Sequence, residues 1–205
     1  TLDGAEAARH QGEIEGIAVR FNTVDTYVPW NWHEREMPTG LNDFSKVDLS
    51  EVEAWLKMAQ DEFGFYTIVR PGPFICAEWA GGGYPRWLAK FNPYTGKEFW
   101  LRSADDAHIA WSVHWYDAVG KLFAREQITR KPKGGRGIIL VQIENEYDHH
   151  KCPDKPKLLQ ALFQSVTNAG VEVPMFTCLT RECRESGDPV LSQVFDSDNY
   201  YVGLT

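Results

Sequence analysis

The chain has 205 residues, 43% of them hydrophobic and 24% charged, with 29 acidic side chains against 21 basic ones. That length suffices for a buried core and that apolar fraction excludes a disordered chain, while no apolar run is long enough to span a membrane. A formal net charge of -8 argues against nucleic acid as the main partner, because a phosphate backbone requires a basic face. Four cysteines are too few to read as a disulfide framework. The aromatic content is high, with 8 Trp, 8 Tyr and 11 Phe. Such residues fill cores, and they also stack on the apolar faces of sugar rings.

The elements follow in chain order. Residues 4–18 are rich enough in Ala and Glu for a helix, weakened by Gly12 and Gly16. Phe21 to Val28 is β-branched and aromatic, bounded by Pro29, and reads as a strand. Ser50 and Glu53 form a capping box for a helix whose apolar stripe is Val52, Trp55, Leu56, Ala59 and Phe63, closed by Gly64. Phe65 to Arg70 is a strand ended by Pro71-Gly72-Pro73. Asp105 to Arg125 is helical, with Ile109, Val113 and Tyr116 at helical spacing. Gly137 to Ile143 is a continuous apolar run, suited to a strand buried on both faces of a parallel sheet. Leu158, Leu159, Leu162, Phe163 and Val166 make an amphipathic helix stopped by Gly170. Val173 to Leu179 is a strand, and Val194-Phe195-Asp196 starts another.

Strands alternating with helices predict parallel βα units, either a (β/α)8 barrel or an open doubly wound sheet. Gly81-Gly82-Gly83 is the only candidate phosphate loop, and it sits in a Trp-rich loop instead of opening a helix. The polar residues collect where strands end. One strand runs into Pro29-Trp30-Asn31-Trp32-His33-Glu34, the next into Cys76-Ala77-Glu78-Trp79, and a third into Glu144-Asn145-Glu146-Tyr147. Each set taken alone fits loop residues that cap helices. Together they place carboxylates, amides and aromatics on the edge that forms the active-site face of a β/α barrel. Carboxylates among aromatics suit glycoside hydrolysis, in which one carboxylic acid protonates the leaving oxygen and a second attacks carbon or activates water.

Arg70-Pro71-Gly72-Pro73-Phe74-Ile75-Cys76-Ala77-Glu78-Trp79, continuing to Gly82-Gly83-Tyr84-Pro85-Arg86-Trp87-Leu88, closely resembles the signature of β-galactosidases of glycoside hydrolase family 35. Asn22-Thr23-Val24 through Glu34, and Gln142-Ile143-Glu144-Asn145-Glu146-Tyr147, agree with that family in order and rough spacing, as do Phe44, Asp48-Leu49 and Leu101-Arg102. The resemblance covers roughly residues 20–200. It implies a (β/α)8 TIM barrel that releases terminal β-linked galactose with retention, acting on a β-galactoside oligosaccharide or glycan without metal or organic cofactor. By the same resemblance Glu146 is the general acid/base and Asn145 bonds the sugar 2-hydroxyl, while Tyr27, Cys76, Ala77 and Glu78 line the galactose pocket, walled by Trp79 and the Gly81–Gly83 turn. A carboxyl buried among aromatics would have the raised pKa that a general acid needs.

Glu144 lies two residues before Glu146 and faces the same side of a regular strand. Two such carboxylates cannot flank one glycosidic bond, so Glu144 reads as a support. The family's nucleophile, a Glu at the end of the seventh strand, would fall past Thr205, and strands two to six are the ones this sequence places. Residues 1–205 are therefore expected to form one partial barrel domain, without turnover by itself, consistent with an opening at Thr1 and an apolar close at Asn199 to Thr205. Asp148 and Tyr84 depart from the family, where Gly and Leu are usual, and are expected to touch loop shape and subsite lining.

The remaining clusters weigh less. His149, His150, Cys152, Cys178 and Cys183 match no compact zinc spacing, and the His pair reads as a solvated turn. No Gly-x-Ser-x-Gly elbow supports Ser/His/Asp catalysis. Lys121, Arg125, Arg130, Lys131, Lys133 and Arg136 read as a solvated helix end and loop. Two alternatives stay open: a galactoside-binding barrel without catalysis, and a related barrel β-glycosidase with another sugar preference. The sequence assigns no compartment, aglycone or oligomeric state.

Overall fold

The computed structural model describes residues 21–88, 101–147, 156–178, 190 and 192–197. The helix expected at 4–18, and Asp148, His149, His150, Cys152 and Cys183, lie outside the described residues. Five strands carry the fold: β1 (Thr23–Tyr27), β2 (Tyr66–Arg70), β3 (Ile138–Gln142), β4 (Met175–Cys178) and β5 (Phe195–Ser197). Every neighbouring pair is parallel, and the strand order in space is the chain order. A doubly wound sheet would reverse its order at a switch point, and this sheet does not. The sheet also curls. Strands β1 and β2 are separated from β4 and β5 by β3, yet Asp25, Ile68, Arg70, Phe176, Cys178 and Ser197 line one cavity of about 430 Å³. A sequential parallel sheet closing on itself is an incomplete (β/α)8 barrel.

The register divides the residues between two faces. Tyr27 pairs with Arg70, Gln142 with Phe176, and Cys178 with Ser197, so these project into the concave side. Thr67, Val69, Ile138, Val141 and Met175 are buried beneath the helices. Those helices are α1 (Trp30–His33), α2 (Ser50–Lys57), α3 (Asp106–Glu126) and α4 (Pro156–Asn168). None of the described helices is long and apolar enough to cross a membrane.

The N-terminus of α2 differs from the expected capping box. Ser50 is already the first helical residue, and its N–H donates to Asp48 Oδ1 at 2.9 Å. An ionised carboxylate makes a stronger acceptor than a hydroxyl and also suits the helix dipole, so Asp48 takes the role. Glu53 instead pairs with Lys57 and Arg125. The helix continues into a π turn over Met58–Glu62. Its extra residue shifts the phase of the apolar stripe, so Gln60 is buried, with Nε2 donating to Thr67 Oγ1, while Phe63 is exposed.

Helix α3 is capped by Asp105, whose carboxylate accepts the Ala107 N–H at 2.9 Å. Its buried face takes in Tyr116 but otherwise departs from the stripe the apolar spacing suggested. His108, Ser112, Trp115, Val119, Leu122 and Phe123 are buried, whereas Ile109 and Val113 are only partly so. Polar residues on the inward face supply bonds that an apolar stripe could not. In α4 the apolar stripe is the buried one: Leu158, Leu159, Leu162 and Val166 are inaccessible to solvent. The two helices touch so closely at Gly120 that an added Cβ would lie 2.8 Å from Ala169 Cβ. Buried Gln127 joins them to the sheet, donating to the carbonyls of Ala124 and Gly170 and accepting the N–H groups of Glu172 and Val173.

Much of the aromatic excess is core. Trp30, Trp111, Trp115, Tyr116, Phe123 and Tyr147 are fully buried, and Trp30 stacks on Trp115 with centroids 5.8 Å apart. Glu34 lies within this aromatic shell, accepting from Trp30 Nε1 at 2.6 Å and from His114 Nε2 at 2.9 Å. His114 Nδ1 faces the Leu41 carbonyl at 2.8 Å, so both ring nitrogens meet oxygen acceptors and the imidazolium form fits. Burial by itself would lower the His114 pKa, but Glu34 and the Leu41 carbonyl outweigh it and hold the value above that of ordinary imidazole. A raised folded value means the pair stabilises fully below about pH 6.5 and loses that contribution as pH rises through the folded pKa. Glu34→Gln is therefore expected to cost about 3–5 kcal/mol at pH 6, by breaking a buried pair. It should also shrink the stability difference between pH 6 and pH 9. Urea unfolding at both pH values checks this, and an unchanged difference in the variant would exclude the pairing.

Candidate active site

Three strands deliver their carboxyl ends to one edge, and Arg70 ties them together. It closes β2, and its guanidinium bonds Gln142 Oε1 at the end of β3, Asp25 Oδ2 on β1 at 3.4 Å and Asn145 Oδ1 at 3.1 Å. The same group lies 4.1 Å from the centroid of the Tyr27 ring. Burial raises the Tyr27 hydroxyl pKa, opposed by Arg70 and reinforced by Asp25, Cys76 and Cys178. Tyr27, Asn145 and the two thiols are thereby brought to one place. Cys76 is exposed and Cys178 buried.

Asn145 is held in one orientation. Its Oδ1 accepts from Arg70 Nη2 and from Gln142 Nε2 at 3.2 Å, which leaves the amide N–H groups as its remaining donors. The neighbouring carboxylates part company here. Regular strand ends at Gln142, and both Glu144 (φ 57°) and Glu146 (φ 49°) occupy the left-handed region, so the alternation rule that put them on one side does not apply. Glu144 turns inward and is fully buried. Glu146 is half-buried, and its N–H donates to the Cys178 carbonyl on β4. Burial raises the Glu144 carboxyl pKa, opposed by Arg102 and the Asn145 N–H.

Arg102 reaches this turn from the segment before α3. One nitrogen, Nη2, donates to Glu144 Oε2 at 3.1 Å, to the Asn145 carbonyl at 2.7 Å and to the Glu146 carbonyl at 2.9 Å. The guanidinium covers the Phe74 ring at 3.8 Å. Behind it His108 Nε2 accepts from the Tyr84 hydroxyl and the Arg102 N–H, while Nδ1 faces the Ser103 carbonyl. Burial lowers the His108 pKa to about 4 and keeps the ring neutral. Tyr84, expected to line a subsite, is instead buried against Trp30 and Phe74, its hydroxyl committed to His108. Trp115 and Tyr116 of α3 bond the carbonyls of Pro71 and Gly72 from below. The bonds that Arg70 and Arg102 make to this turn escape sequence reasoning, which shows only that each stands at a motif's border.

The loop after β2 is strained. Cys76, Ala77 and Glu78 have φ of 54°, 46° and 53°, a region that costs a non-glycine residue about 1–3 kcal/mol. Bonds from Ile75 N to Gly82 O and from Gly82 N to Trp79 O fold the loop back on itself. Tyr27 and Ala77 share a cavity of about 630 Å³ with Trp32 and Trp79, whose indoles meet edge to face at 6.3 Å. Glu78 is exposed and is not among the residues lining that cavity. Among the described residues no three His, Cys, Asp or Glu side chains gather as a metal site.

The family model for glycosyl hydrolases family 35 matches residues 16–204. The chain belongs to this family. It is 39% identical over 158 residues to a beta-galactosidase of Macaca fascicularis and 38% identical over the same length to that of Homo sapiens. Each match covers 76% of this chain and 21% of the relative. Beta-galactosidase 1 of Dictyostelium discoideum is 36% identical over 130 residues, covering 63% of this chain and 17% of that protein. The chain thus spans about a fifth of the length of these relatives. A solved structure, endoglucanase Cel5A from the hyperthermophilic Thermotoga maritima, matches with a TM-score of 0.57 at 11% identity, covering 95% of this chain and 53% of that one. At that identity the likeness concerns fold alone, and it agrees with a family 35 barrel.

The Gly81–Gly83 turn offers a direct test of the loop's packing. Gly81 (φ 67°) and Gly82 (φ 62°) share a backbone conformation, but an added Cβ meets nothing within 4 Å at Gly81 and lies 2.2 Å from the Phe74 ring at Gly82. Gly81→Ala should cost about 1–2 kcal/mol for the left-handed backbone alone. Gly82→Ala should cost a further 1–3 kcal/mol or so from overpacking, since Phe74 is pinned beneath Arg102. Equal urea-unfolding losses for the two variants would refute the packing argument.

Proposed function

We propose that the full-length protein is a retaining β-galactosidase in which Glu146 is the general acid/base. The observation that carries this reading is the disposition of Asn145 and Glu146 at the exit of β3, with Asn145 fixed by Arg70 and Gln142 and Glu146 half-buried at the mouth of the sheet. It is supported by membership of family 35 and by the names of the relatives. In the first step the Glu146 carboxylic acid gives its proton to the glycosidic oxygen as a second carboxylate attacks the anomeric carbon. In the second, Glu146 takes a proton from the water that releases the sugar. The Asn145 amide N–H donates to the sugar 2-hydroxyl, a bond that strengthens in the transition state.

Glu144 does not serve as the second carboxylate in this scheme. Its side chain is inaccessible to solvent and bonded to Arg102, so it cannot meet a sugar ring. The nucleophile is a separate carboxylate of the full-length protein, facing Glu146 across the bond. Tyr27 and Ala77 bound the galactose site within the cavity they share with Trp79 and Trp32, and the exposed Cys76 and Glu78 of the same loop complete it, Glu78 binding ring hydroxyls. The substrate is a terminal β-galactoside of an oligosaccharide or glycan.

Replacing Glu146 by Gln in the full-length protein should abolish hydrolysis of galactosides with poor leaving groups, by roughly 10²–10⁴-fold. Dinitrophenyl galactoside, whose leaving group needs no proton, should still form the glycosyl-enzyme. Steady-state kinetics on both substrates checks the assignment, which fails if the variant hydrolyses a poor-leaving-group galactoside at the parent's rate.

A further inference from the structure

We propose that Arg102 is a positioning residue for the reaction: its guanidinium fixes the backbone of Asn145 and Glu146, and so aims the Glu146 carboxyl at the leaving-group oxygen. The inference rests on the acid/base reading of Glu146. Three observations support it. First, one nitrogen of Arg102 donates to both peptide carbonyls of the Asn145-Glu146 turn, at 2.7 and 2.9 Å. Second, that turn is conformationally expensive, with Glu144, Glu146 and Arg102 itself all in the left-handed region, so it persists only where surrounding bonds over-determine it. Third, the clamp is itself braced. Glu144 Oε2 bonds both Arg102 and the Asn145 N–H at 2.7 Å, the Phe74 ring supports the guanidinium face, and His108 accepts the Arg102 N–H.

Toward the turn, Arg102 donates to two main-chain carbonyls and to the buried Glu144 carboxylate. Its effect on the reaction therefore runs through geometry. A displacement of the turn by a fraction of an ångström would move the Glu146 proton off the line of transfer, and general acid catalysis is steeply sensitive to such misplacement. All three bonds come from Nη2, which lies one atom further from the backbone than a lysine ammonium and is held by a planar group, so lysine does not reproduce them.

The test uses the full-length protein and aryl β-galactosides whose leaving groups run from dinitrophenol to phenol. Two variants are compared with Glu146→Gln. Arg102→Lys keeps a cation beside Glu144. The double variant R102M/E144L removes both charges together, because apolar replacement of a whole buried pair is commonly tolerated where loss of one partner is not. For both, kcat/KM on phenyl galactoside should fall roughly tenfold or more, and on dinitrophenyl galactoside by less than about threefold, the same bias as Glu146→Gln at smaller amplitude. A loss uniform across leaving groups would assign Arg102 a merely structural role and overturn the proposal. So would parental rates in the double variant. If Glu146→Gln itself shows no leaving-group bias, the acid/base reading fails first.

Discussion

Arg70 and Arg102 hold the ends of three strands in one arrangement, and the need for them lies in the backbone. Regular strand would send Glu144 and Glu146 to the same side of the sheet. The chain instead places both residues at positive φ, which separates the two side chains and raises the local free energy. Charge-assisted bonds in a partly dehydrated site are strong enough to offset that cost. Arg70 supplies them from the concave side, through Gln142 and Asn145. Arg102 supplies them from the helix side, through Glu144 and the two turn carbonyls. The division of labour between the carboxylates follows. Glu144 is buried to complete the clamp, and Glu146 is left at the mouth of the sheet.

The aromatic shell beneath this edge gives the clamp a rigid base. Trp30, Trp115, Tyr116 and Tyr84 fill the space between α1, α3 and the sheet, and each has a polar tip that must find a partner when buried. Those partners are the Glu34 carboxylate, the Pro71 and Gly72 carbonyls and His108. The same rings that bury apolar surface thus fix the loop after β2 and the segment carrying Arg102. This explains why the inward face of α3 carries His108 and His114. A purely apolar face would leave those loop groups unpaired in the interior, where each costs on the order of 1–3 kcal/mol.

Sequence reasoning went furthest where a residue's role depends on near neighbours. The parallel βα order, the apolar stripe of α4, the end of β2 at the prolines and the collection of polar residues at strand ends all follow from periods and punctuation. It went astray where another acceptor, a change of helix phase or a distant partner competed. Asp48 displaced Ser50 as the helix-capping acceptor, a π turn rotated Phe63 out and Gln60 in, and His108 drew Tyr84 into the core. In each case the outcome turns on a contact or phase shift that one-dimensional spacing does not encode.

The sequence by itself determined that the chain is a β/α barrel segment of family 35 and that Asn145-Glu146 stands at a strand end. Both are properties of order along the chain. Only the tertiary structure decided which of two neighbouring glutamates is buried, and which cations hold the turn between them. Arg70 and Arg102 are separated from that turn by more than forty residues. Their bonds exist because the sheet curls and α3 packs beneath it, and a left-handed φ at Glu144 and Glu146 is stable only once those bonds are made.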